Sequence, residues 1–320
     1  MQIESGLAVY VQRLREVVAA LGPARDVADR RRLLVLRSRA FPVPGEDGPS
    51  VVDDRVVLGD RQIAVRIFRP DGQDTQPLPL ILYCHGGGFI AGDLETHGFI
   101  CALLARHAGA VVLGVDYRLA PEHPFPAALD DCDAALAWAR ADAGRLGIDP
   151  SRIAVAGDSA GGALAASLAI RCRDRGDPEL RCQALFYPVL DDDLDRPSYL
   201  RDLDPFLTRA AMRSYLDAYL PEPASRRDPQ AIPMRVADPR GLAPAYVLAA
   251  ELDPLRDEAH HFAARLAEAG VPTALREWPG TIHGFLRAQV ESAASRAALA
   301  DAAAVLRSAL SASAKDPFRS

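Results

Sequence analysis

The N-terminal part of the chain combines two helical patterns. Apolar residues recur every three or four positions on one stripe: Leu7, Val11, Leu14, Val18 and Leu21. Gly22-Pro23 ends this first helix, and a second, strongly charged helix is predicted from about residue 27 to residue 39. The proline-containing segment 41–45 breaks the helical periodicity. Since both helices precede the first predicted strand, they must pack on elements that come later in the chain.

The middle and C-terminal parts alternate between strand and helix patterns. Residues 51–58 and 62–68 alternate apolar and polar positions around Gly59-Asp60, which predicts an antiparallel hairpin at a sheet edge. Short apolar runs predict strands at 78–84, 110–115, 153–156, 182–190 and 245–252, and a further strand is predicted at 273–278. Helical patterns follow at 98–108, 127–143, 162–175, 256–270 and 287–312. This alternation predicts an α/β fold whose mostly parallel central sheet is flanked by helices.

The alternation is interrupted once, after residue 190. From Asp191-Asp192-Asp193 to about Pro233 the chain is rich in proline and aspartate, with one helical piece at 208–219. An insertion of this kind between buried strands predicts a helical cap over a site. We therefore divide the chain into four segments: 1–45 as the N-terminal part of the cap, 46–190 as the first part of the core, 191–233 as the cap insertion and 234–320 as the second part of the core.

A glycine-flanked serine follows one of the predicted strands. Gly157-Asp158-Ser159-Ala160-Gly161 fits the pattern G-x-S-x-G, with an apolar run before it and an alanine-rich helix after it. A strand, a tight turn and a helix are the context of a nucleophile elbow, in which the serine is presented on a sharp turn. The turn crowds the neighbouring positions, so glycine is needed there. A purely structural turn is the alternative, but the context favours Ser159 as a nucleophile.

A nucleophilic serine needs a general base and an orienting carboxylate. His260 and His261 are adjacent in an amphipathic helix, where we expect solvated side chains. His283 lies in a loop between the last strand and the last helix, where a sheet presents side chains at its carboxyl edge. His283 is therefore the predicted base. Asp253, just after the strand 245–252, is the predicted acid, with Asp257 as the weaker candidate.

A run of glycines follows the strand 78–84. In His85-Gly86-Gly87-Gly88-Phe89, residues without side chains let backbone amides approach a tetrahedral oxyanion. A flexible loop is the alternative interpretation, but a position after a buried strand and upstream of the elbow favours an oxyanion hole. His85 itself is predicted to hold the loop in place.

Composition narrows the partners and cofactors. The chain has 320 residues, a net charge of -6 and no basic run, which argues against nucleic acid as a partner. There is no basic N-terminal region and no apolar stretch of membrane-spanning length, so we expect a cytoplasmic protein without a membrane partner. The five cysteines form no C-x-x-C pair, and neither a disulfide framework, a metal nor another cofactor is predicted.

Taken in order, these motifs resemble a known family. The motifs are His85-Gly86-Gly87-Gly88-Phe89, residues 116–123 (DYRLAPEH), Gly157-Asp158-Ser159-Ala160-Gly161-Gly162, Asp253-Pro254-Leu255-Arg256-Asp257 and His283-Gly284-Phe285. Together they resemble the hormone-sensitive-lipase-like family of microbial carboxylesterases, which are α/β-hydrolases with a helical cap. The resemblance implies Ser159 as nucleophile, Asp253 as acid and His283 as base. It also implies Gly87, Gly88 and the amide of Ala160 as oxyanion donors.

The expected activity is hydrolysis of small-molecule carboxylic esters of short-to-medium acyl length through an acyl-enzyme. An amidase, deacetylase or lactonase could use the same triad, and a non-catalytic small-molecule receptor is a further alternative, although such relatives lack a complete triad. The expected pocket residues are Phe89, Asp158, Phe206, Leu207, Met212, Tyr215 and Phe285, with Tyr219 as a further cap residue. A homodimer through the last strand, 273–278, is expected because that strand lies at a sheet edge.

Overall fold

One mixed sheet forms the centre of the molecule. The structure is a computed structural model that describes residues 2–43, 50–72, 77–311 and 318. Within these residues the strands are β1 (Ser50–Leu58), β2 (Arg61–Arg69), β3 (Leu78–Cys84), β4 (Val111–Val115), β5 (Ile148–Asp158), β6 (Cys182–Phe186), β7 (Ala245–Ala250) and β8 (Thr273–Trp278). Their order across the sheet is β1-β2-β4-β3-β5-β6-β7-β8. β1, β2 and β4 pair antiparallel and the other neighbours pair parallel, which confirms the predicted edge hairpin and fold class.

Helices cover both faces of this sheet. They are α1 (Ser5–Leu21), α2 (Val27–Ala40), α3 (Leu94–Ala108), α4 (Ala127–Ala141), α5 (Ala143–Leu146), α6 (Ala160–Arg175), α7 (Pro197–Leu200), α8 (Arg209–Tyr219), α9 (Arg256–Glu268) and α10 (Ala293–Ala309). Short 3₁₀ turns occur at Ser225–Arg227, Pro233–Arg235 and Phe285–Arg287. None of the helices in the described ranges is both long enough and apolar enough to cross a membrane.

Several predicted elements differ from the structure in their bounds, and two of these differences have a clear local cause. The last helix begins at Ala293 rather than at residue 287, because the side chain of Ser292 caps it by accepting from the Ser295 amide. Its predicted end at Ala312 lies outside the described residues. The predicted strand 182–190 ends at Phe186, since Tyr187 takes a positive φ of 35° and Pro188 cannot donate to a strand ladder.

The core has two layers because parallel strands bury both of their faces. All seven residues of β3 are buried. Leu80, Leu82 and Cys84 pack in the layer that contains α4, α6 and α9, whereas Ile81 and Tyr83 pack in the layer that contains α3 and α10. Because β3, β5, β6, β7 and β8 pair parallel, the carboxyl ends of β3, β5, β7 and β8, where the predicted site residues lie, share one edge of the sheet.

The first helix is attached to the other end of the chain. The amide of Glu4 donates to the carbonyl of Gly280 at 2.9 Å, and Ser292 Oγ donates to Glu4 Oε2 at 2.9 Å. The same carboxylate caps α1 by accepting from the Leu7 amide at 2.6 Å. Thus α1 packs on a C-terminal region, as its position before the first strand required. The division into four segments stays a prediction, and its boundary between residues 45 and 46 lies outside the described residues.

Candidate active site

The serine turn is shaped by steric requirements. Ser159 follows β5 with φ at 56° and ψ at -121°, a backbone conformation that costs a non-glycine residue on the order of 1–3 kcal/mol. Its amide donates to the Phe186 carbonyl at 2.8 Å, which fixes the turn against β6. A Cβ atom on Gly157 would overlap the carbonyl of Gly161, and one on Gly161 would overlap the carbonyls of Cys84 and His85. Glycine is therefore required at both positions by backbone that surrounds them.

A chain of hydrogen bonds joins Ser159 to a histidine and an aspartate. Ser159 Oγ lies 2.9 Å from His283 Nε2, and His283 Nδ1 lies 2.7 Å from Asp253 Oδ2. If Nδ1 carries the proton and donates it to Asp253, Nε2 is left to accept from the serine hydroxyl. This is the arrangement that general-base activation of a serine requires. The second oxygen of Asp253 accepts from the Leu255 amide at 2.8 Å, and the side chain is only 2% exposed.

The surroundings of His283 favour its protonated form. Burial by itself would lower the pKa of His283, but the nearby carboxylates of Asp253, Asp204 and Asp158 outweigh burial and raise the pKa above 6.5. A raised pKa makes the imidazole a better proton acceptor, and the imidazolium that forms stays next to Asp253.

Asp204 also holds the backbone of the histidine loop, a contact that the sequence did not predict. Its Oδ2 accepts from the His283 amide at 2.7 Å. Its Oδ1 accepts from the amides of Phe206 and Leu207 at 2.8 and 2.9 Å. Burial and Asp253 raise the pKa of Asp204, while the amides of Leu207 and Phe206 and the side chain of His283 oppose that rise. One carboxylate of the 191–233 insertion thus connects that segment to the loop of the predicted base.

The glycine loop after β3 presents its amides toward the cavity. Gly87 and Gly88 have φ values of 132° and 64°, which residues with a side chain rarely adopt. Among the described residues, the amides of Gly87, Gly88 and Ala160 have no hydrogen-bond partner within the protein. Gly87 and Gly88 line the same cavity as Ser159, and Ala160 is the first residue of α6, whose dipole favours negative charge. Such donors suit a developing oxyanion.

Asp158 has a structural role that the sequence analysis missed. It lines the cavity, as expected, but its Oδ1 accepts from the Tyr83 hydroxyl at 2.7 Å and from the Gly86 amide at 2.9 Å. Burial opposes ionisation, yet His97, Tyr83 and His85 lower the pKa of Asp158 to about 2. The residue next to the serine therefore holds the glycine loop beside the serine turn as a carboxylate.

His85 supports the loop from the other side. The ring stacks on Tyr117, and Nδ1 lies 2.9 Å from the Gly86 carbonyl. Burial and the neighbouring His97 lower the pKa of His85 to about 4, so the ring is neutral at pH 7. Tyr117, from the segment at residues 116–123, donates from its hydroxyl to the His85 carbonyl at 2.6 Å. These contacts agree with the predicted supporting role of His85.

A cavity of about 300 Å³ opens over Ser159. Of the expected pocket residues, Asp158, Phe206, Leu207, Met212 and Tyr215 line it. Phe89 and Phe285 do not, and this part of the pocket prediction needs correction.

Both phenylalanines, and the further cap residue Tyr219, are packing residues. Phe89 is 2% exposed and stacks on Tyr219, with their ring centroids 3.8 Å apart. Phe285 is fully buried beside Tyr187, with ring centroids 6.0 Å apart. The sequence correctly marked them as large apolar residues next to motifs, but it did not indicate which side chains turn toward the core.

The sequence analysis also missed the part of the lining that comes from the first two helices. Tyr10 and Leu14 from α1 and Leu33, Leu34 and Arg37 from α2 line the cavity. Periodicity predicts the buried stripe of α1, but the apolar residues 33–36 of α2 are consecutive and follow no helical stripe, and only Leu33 is buried. No signal in α2 alone marks the face that meets the cavity.

The other candidate residues lie away from this cavity. His260 is half-buried, and its Nε2 lies 2.6 Å from Glu277 Oε2, so it is bound to a carboxylate. The expectation of a simply solvated side chain is therefore wrong for His260. His261 is exposed and contacts Arg196. Asp257, the weaker acid candidate, accepts from the Ser198 amide at 2.9 Å and has no contact with His283 in the described structure.

One group of side chains has the composition of a metal site. Ligand atoms of Asp133, Cys172 and Asp177 lie within 4.8 Å of one another. Arg175 forms hydrogen-bonded ion pairs with both aspartates, 2.7 Å to Asp133 and 2.5 Å to Asp177. The negative charge of this group is therefore already compensated by a protein cation.

Known proteins are similar to this chain over most of its length. A family model described as alpha/beta hydrolase fold matches residues 81–287. The carboxylesterase NlhH of Mycobacterium tuberculosis is 40% identical over 291 residues, which are 88% of this chain and 91% of that protein. The ethyl acetate hydrolase of Pseudomonas putida is 37% identical over 299 residues, which are 90% of this chain and 93% of that protein.

Solved structures agree with these relatives. A thermostable esterase from Pseudomonas putida superposes with a TM-score of 0.91 at 31% identity, over 97% of this chain and 98% of that chain. A hyperthermophilic esterase from the archaeon Pyrobaculum calidifontis superposes with a TM-score of 0.88 at 37% identity, over 97% of this chain and 100% of that chain. The chain therefore belongs to the α/β-hydrolase family, in its hormone-sensitive-lipase-like group of carboxylesterases, and is a carboxylic ester hydrolase.

Proposed function

We propose that the protein hydrolyses small-molecule esters of short-to-medium acyl length through an acyl-enzyme on Ser159. The observation that carries the proposal is the continuous hydrogen-bonded chain from Ser159 Oγ through His283 to Asp253, with distances of 2.9 and 2.7 Å. A chain of this kind activates a hydroxyl that is otherwise a poor nucleophile at neutral pH.

In the proposed mechanism, Ser159 Oγ attacks the ester carbonyl carbon as His283 Nε2 takes the hydroxyl proton. Asp253 stabilises the imidazolium, and the amides of Gly87, Gly88 and Ala160 donate to the oxyanion. Collapse of the tetrahedral intermediate breaks the bond to the alcohol oxygen, which leaves with the proton from His283. Water then attacks the acyl-enzyme with His283 again as base, which releases the acid and restores Ser159.

The acyl length in this proposal rests on the size of the cavity. A volume of about 300 Å³ is at the small end of the range for ligand pockets, and it suits a small ester better than a long acyl chain. The relative from Pseudomonas putida is named for ethyl acetate, also a small ester. Leu207 and Met212 give the cavity an apolar portion for the acyl group.

The test is hydrolysis of 4-nitrophenyl esters of graded acyl length by wild type and by Ser159→Ala. We expect the variant to lose at least about 10⁴-fold in kcat/KM, in line with the loss of a triad member in other serine hydrolases. We expect the wild-type rate to peak at a short or medium acyl chain. Wild-type turnover by Ser159→Ala would contradict the mechanism.

A second panel separates the reactions that the same triad can perform. It compares an ester with the amide and the lactone of matched size, each with wild type and Ser159→Ala. We expect the ester to be cleaved fastest, and a serine-dependent amide or lactone rate above the ester rate would contradict the proposed substrate class.

Assembly and location form a further part of the proposal. β8 is the last strand of the sheet order, and its free edge could pair with the same strand of a second copy. We therefore propose a homodimer through Thr273–Trp278, which light scattering tests, and a monomer would contradict it.

A cytoplasmic location is supported by five thiols that are all buried and none of which forms a disulfide in the described structure. Subcellular fractionation tests it.

A further inference from the structure

One side of the cavity, formed mainly by α2, carries two arginines; a third arginine, Arg287, lines the cavity elsewhere, where it lies over the Phe99 ring and donates to the Thr96 carbonyl. We call the side chains Arg30, Leu33, Leu34 and Arg37 of α2, together with Tyr215 of α8, the cap wall, and all of them line the cavity. Among the described residues in the lining, Asp158 is the one carboxylate, and it is already bound to Tyr83 and Gly86. The two guanidinium groups of the cap wall therefore face a cavity in which no lining carboxylate is available to neutralise them.

Arg30 is held in position by a neutral partner. Its Nη1 donates to the Tyr215 hydroxyl at 2.9 Å, and its guanidinium lies 5.4 Å from the centroid of the Tyr215 ring. These contacts orient the group without removing its positive charge. Arg30 thus adds a fixed cation to the cavity.

Arg37 has no ion pair with an acidic residue in the described part of the chain, and its Nε is buried without a hydrogen-bond partner. A buried donor that is left unsatisfied is unfavourable, so an unfilled donor next to a cavity points to a ligand that fills it. Burial lowers the pKa of Arg37, and the neighbouring Arg30 adds to this, while Tyr215 and Tyr10 oppose it. An anion bound between Arg30 and Arg37 would give the Nε of Arg37 a hydrogen-bond partner. It would also offset the burial and the like charge that disfavour the protonated Arg37.

Other arginines of the same helix have an acidic partner or are exposed to solvent. Arg31 Nη2 pairs with Glu122 at 2.7 Å, and Arg32 pairs with Asp29 at 3.6 Å. Arg39, two positions after Arg37, is exposed to solvent. Among these neighbours, the cavity position and the unfilled donor coincide at Arg37.

We propose that the active-site cavity takes esters that carry a second, ionised carboxylate, and that Arg37 is the residue that selects them. The inference rests on the proposed esterase function. A guanidinium presents parallel N–H donors that match the two oxygens of a carboxylate, and Arg30 adds a second cation on the same wall. Leu33 and Leu34, between the two arginines in sequence, provide apolar contact for methylene groups of the same substrate. Monoesters of dicarboxylic acids have this chemistry.

The experiment compares esters that differ only in charge. On the acyl side, monoethyl adipate is paired with ethyl 6-amino-6-oxohexanoate, in which a carboxamide replaces the carboxylate. On the alcohol side, 4-acetoxybenzoate is paired with 4-acetoxybenzamide. The ratio of kcat/KM within each pair is the readout, because it cancels a change in the amount of folded enzyme.

We expect wild type to prefer the carboxylate in one of the two pairs by about 10- to 100-fold, the range that a hydrogen bond to a charged group provides. Arg37→Gln should remove most of this preference, and Arg37→Lys should retain part of it. Arg39→Gln is the matched control and should leave the ratio unchanged. The pair that shows the preference tells whether the carboxylate sits on the acyl or the alcohol side.

Two results would overturn the inference alone: wild type that cleaves the carboxamide esters as well as the carboxylates, or an Arg37→Gln variant that keeps the wild-type ratio. In either case Ser159-dependent cleavage of the neutral esters would leave the proposed function intact. Wild type that cleaves none of the four esters, and no 4-nitrophenyl ester, would overturn the proposed function as well.

Discussion

The floor and the wall of the cavity are built in different ways. We use the name catalytic floor for the residues of the proposed reaction site and their direct supports: Gly86, Gly87, Gly88, Asp158, Ser159, Asp253 and His283. All of them except Gly86 and Asp253 line the cavity. In it, buried side chains bind backbone amides or one another, and glycines are required by surrounding backbone. In the cap wall, by contrast, Arg37 has an unfilled donor and the helix that carries it buries one residue.

This difference suggests separate roles: the catalytic floor performs the reaction, and the cap wall selects the substrate. The geometry of the catalytic floor is over-determined, so that a small displacement breaks several contacts at once. In the cap wall, Leu33, Leu34 and Tyr215 pack against the core, whereas the two arginines have no ion pair with an acidic residue among the described residues. We therefore expect changes in the catalytic floor to abolish turnover or folding, and changes in the cap wall to alter which ester is used.

The largest expected effect is that of His283→Ala. Loss of the base should reduce kcat/KM by about 10⁴-fold or more, because Ser159 then has no acceptor for its proton. The measurement is hydrolysis of a 4-nitrophenyl ester. His260→Ala and His261→Ala are the controls, and both should retain most activity since these residues contact Glu277 and Arg196 away from the cavity. A fully active His283→Ala enzyme would place the base elsewhere.

A methyl group in the serine turn should cost stability as well as activity. We expect Gly161→Ala to reduce the free energy of unfolding by about 3 kcal/mol, the upper end for overpacking, because the added Cβ meets the carbonyls of Cys84 and His85. Urea titration measures this. Gly144→Ala is the control, since a Cβ there meets no atom within 4 Å, and it should be neutral or slightly stabilising. Equal stability of the two variants would show that the turn is not over-determined.

A smaller effect is expected where the insertion meets the histidine loop. Asp204→Asn replaces a carboxylate that accepts from the His283 amide, so we expect kcat/KM to fall by about 10-fold, equivalent to about 1.4 kcal/mol. Asp202→Asn, at an exposed neighbouring position, should leave activity unchanged. An Asp204→Asn enzyme with wild-type kcat/KM would show that this contact does not position the base.

The same variant has a pH signature. The base must be neutral, so activity is lost as pH falls through the pKa of His283, which is raised above 6.5 in the folded protein. Asp204 contributes to that rise, and Asp204→Asn should therefore move the acid limb of the kcat/KM profile to lower pH. The stabilisation linked to protonated His283 is fully present below its unfolded pKa of about 6.5 and is lost as pH rises through the folded pKa. An unmoved acid limb would contradict the proposed coupling.

The catalytic floor could be predicted from sequence because its steric and positional requirements produce recognisable short motifs. The glycines at 157 and 161 flank the serine at fixed spacing, since any side chain there would overlap backbone. Asp253 and His283 follow strands whose carboxyl ends share one edge of the sheet, so their position in the chain indicated their position in space. The boundaries of β3 were also predicted correctly, because its sequence is an uninterrupted apolar run.

Contacts between distant segments could not be predicted in this way. The hydrogen bond from the His283 amide to Asp204 joins two segments that are distant in the chain. Asp204 is one of several aspartates in its segment, and nothing in the sequence distinguishes it from the others. Arg37 is one of several arginines in α2, and only the packing of that helix shows that it meets the cavity. Phe89 was expected in the pocket, whereas it is buried against Tyr219 with a positive φ of 64°, which no residue pattern in the sequence indicates.

The attachment of α1 to the C-terminal region determines when the N terminus can fold during synthesis. Glu4 is bound by Ser292, which lies 288 residues later in the chain. At a synthesis rate of about 5–20 residues per second, the ribosome needs roughly 15–60 s to produce that partner. Contacts of α1 with α2 and between Tyr10 and Phe41 can form early, but for all of this time α1 lacks its contacts with the C-terminal region. The packing of α1 is therefore complete only after α10 has been made.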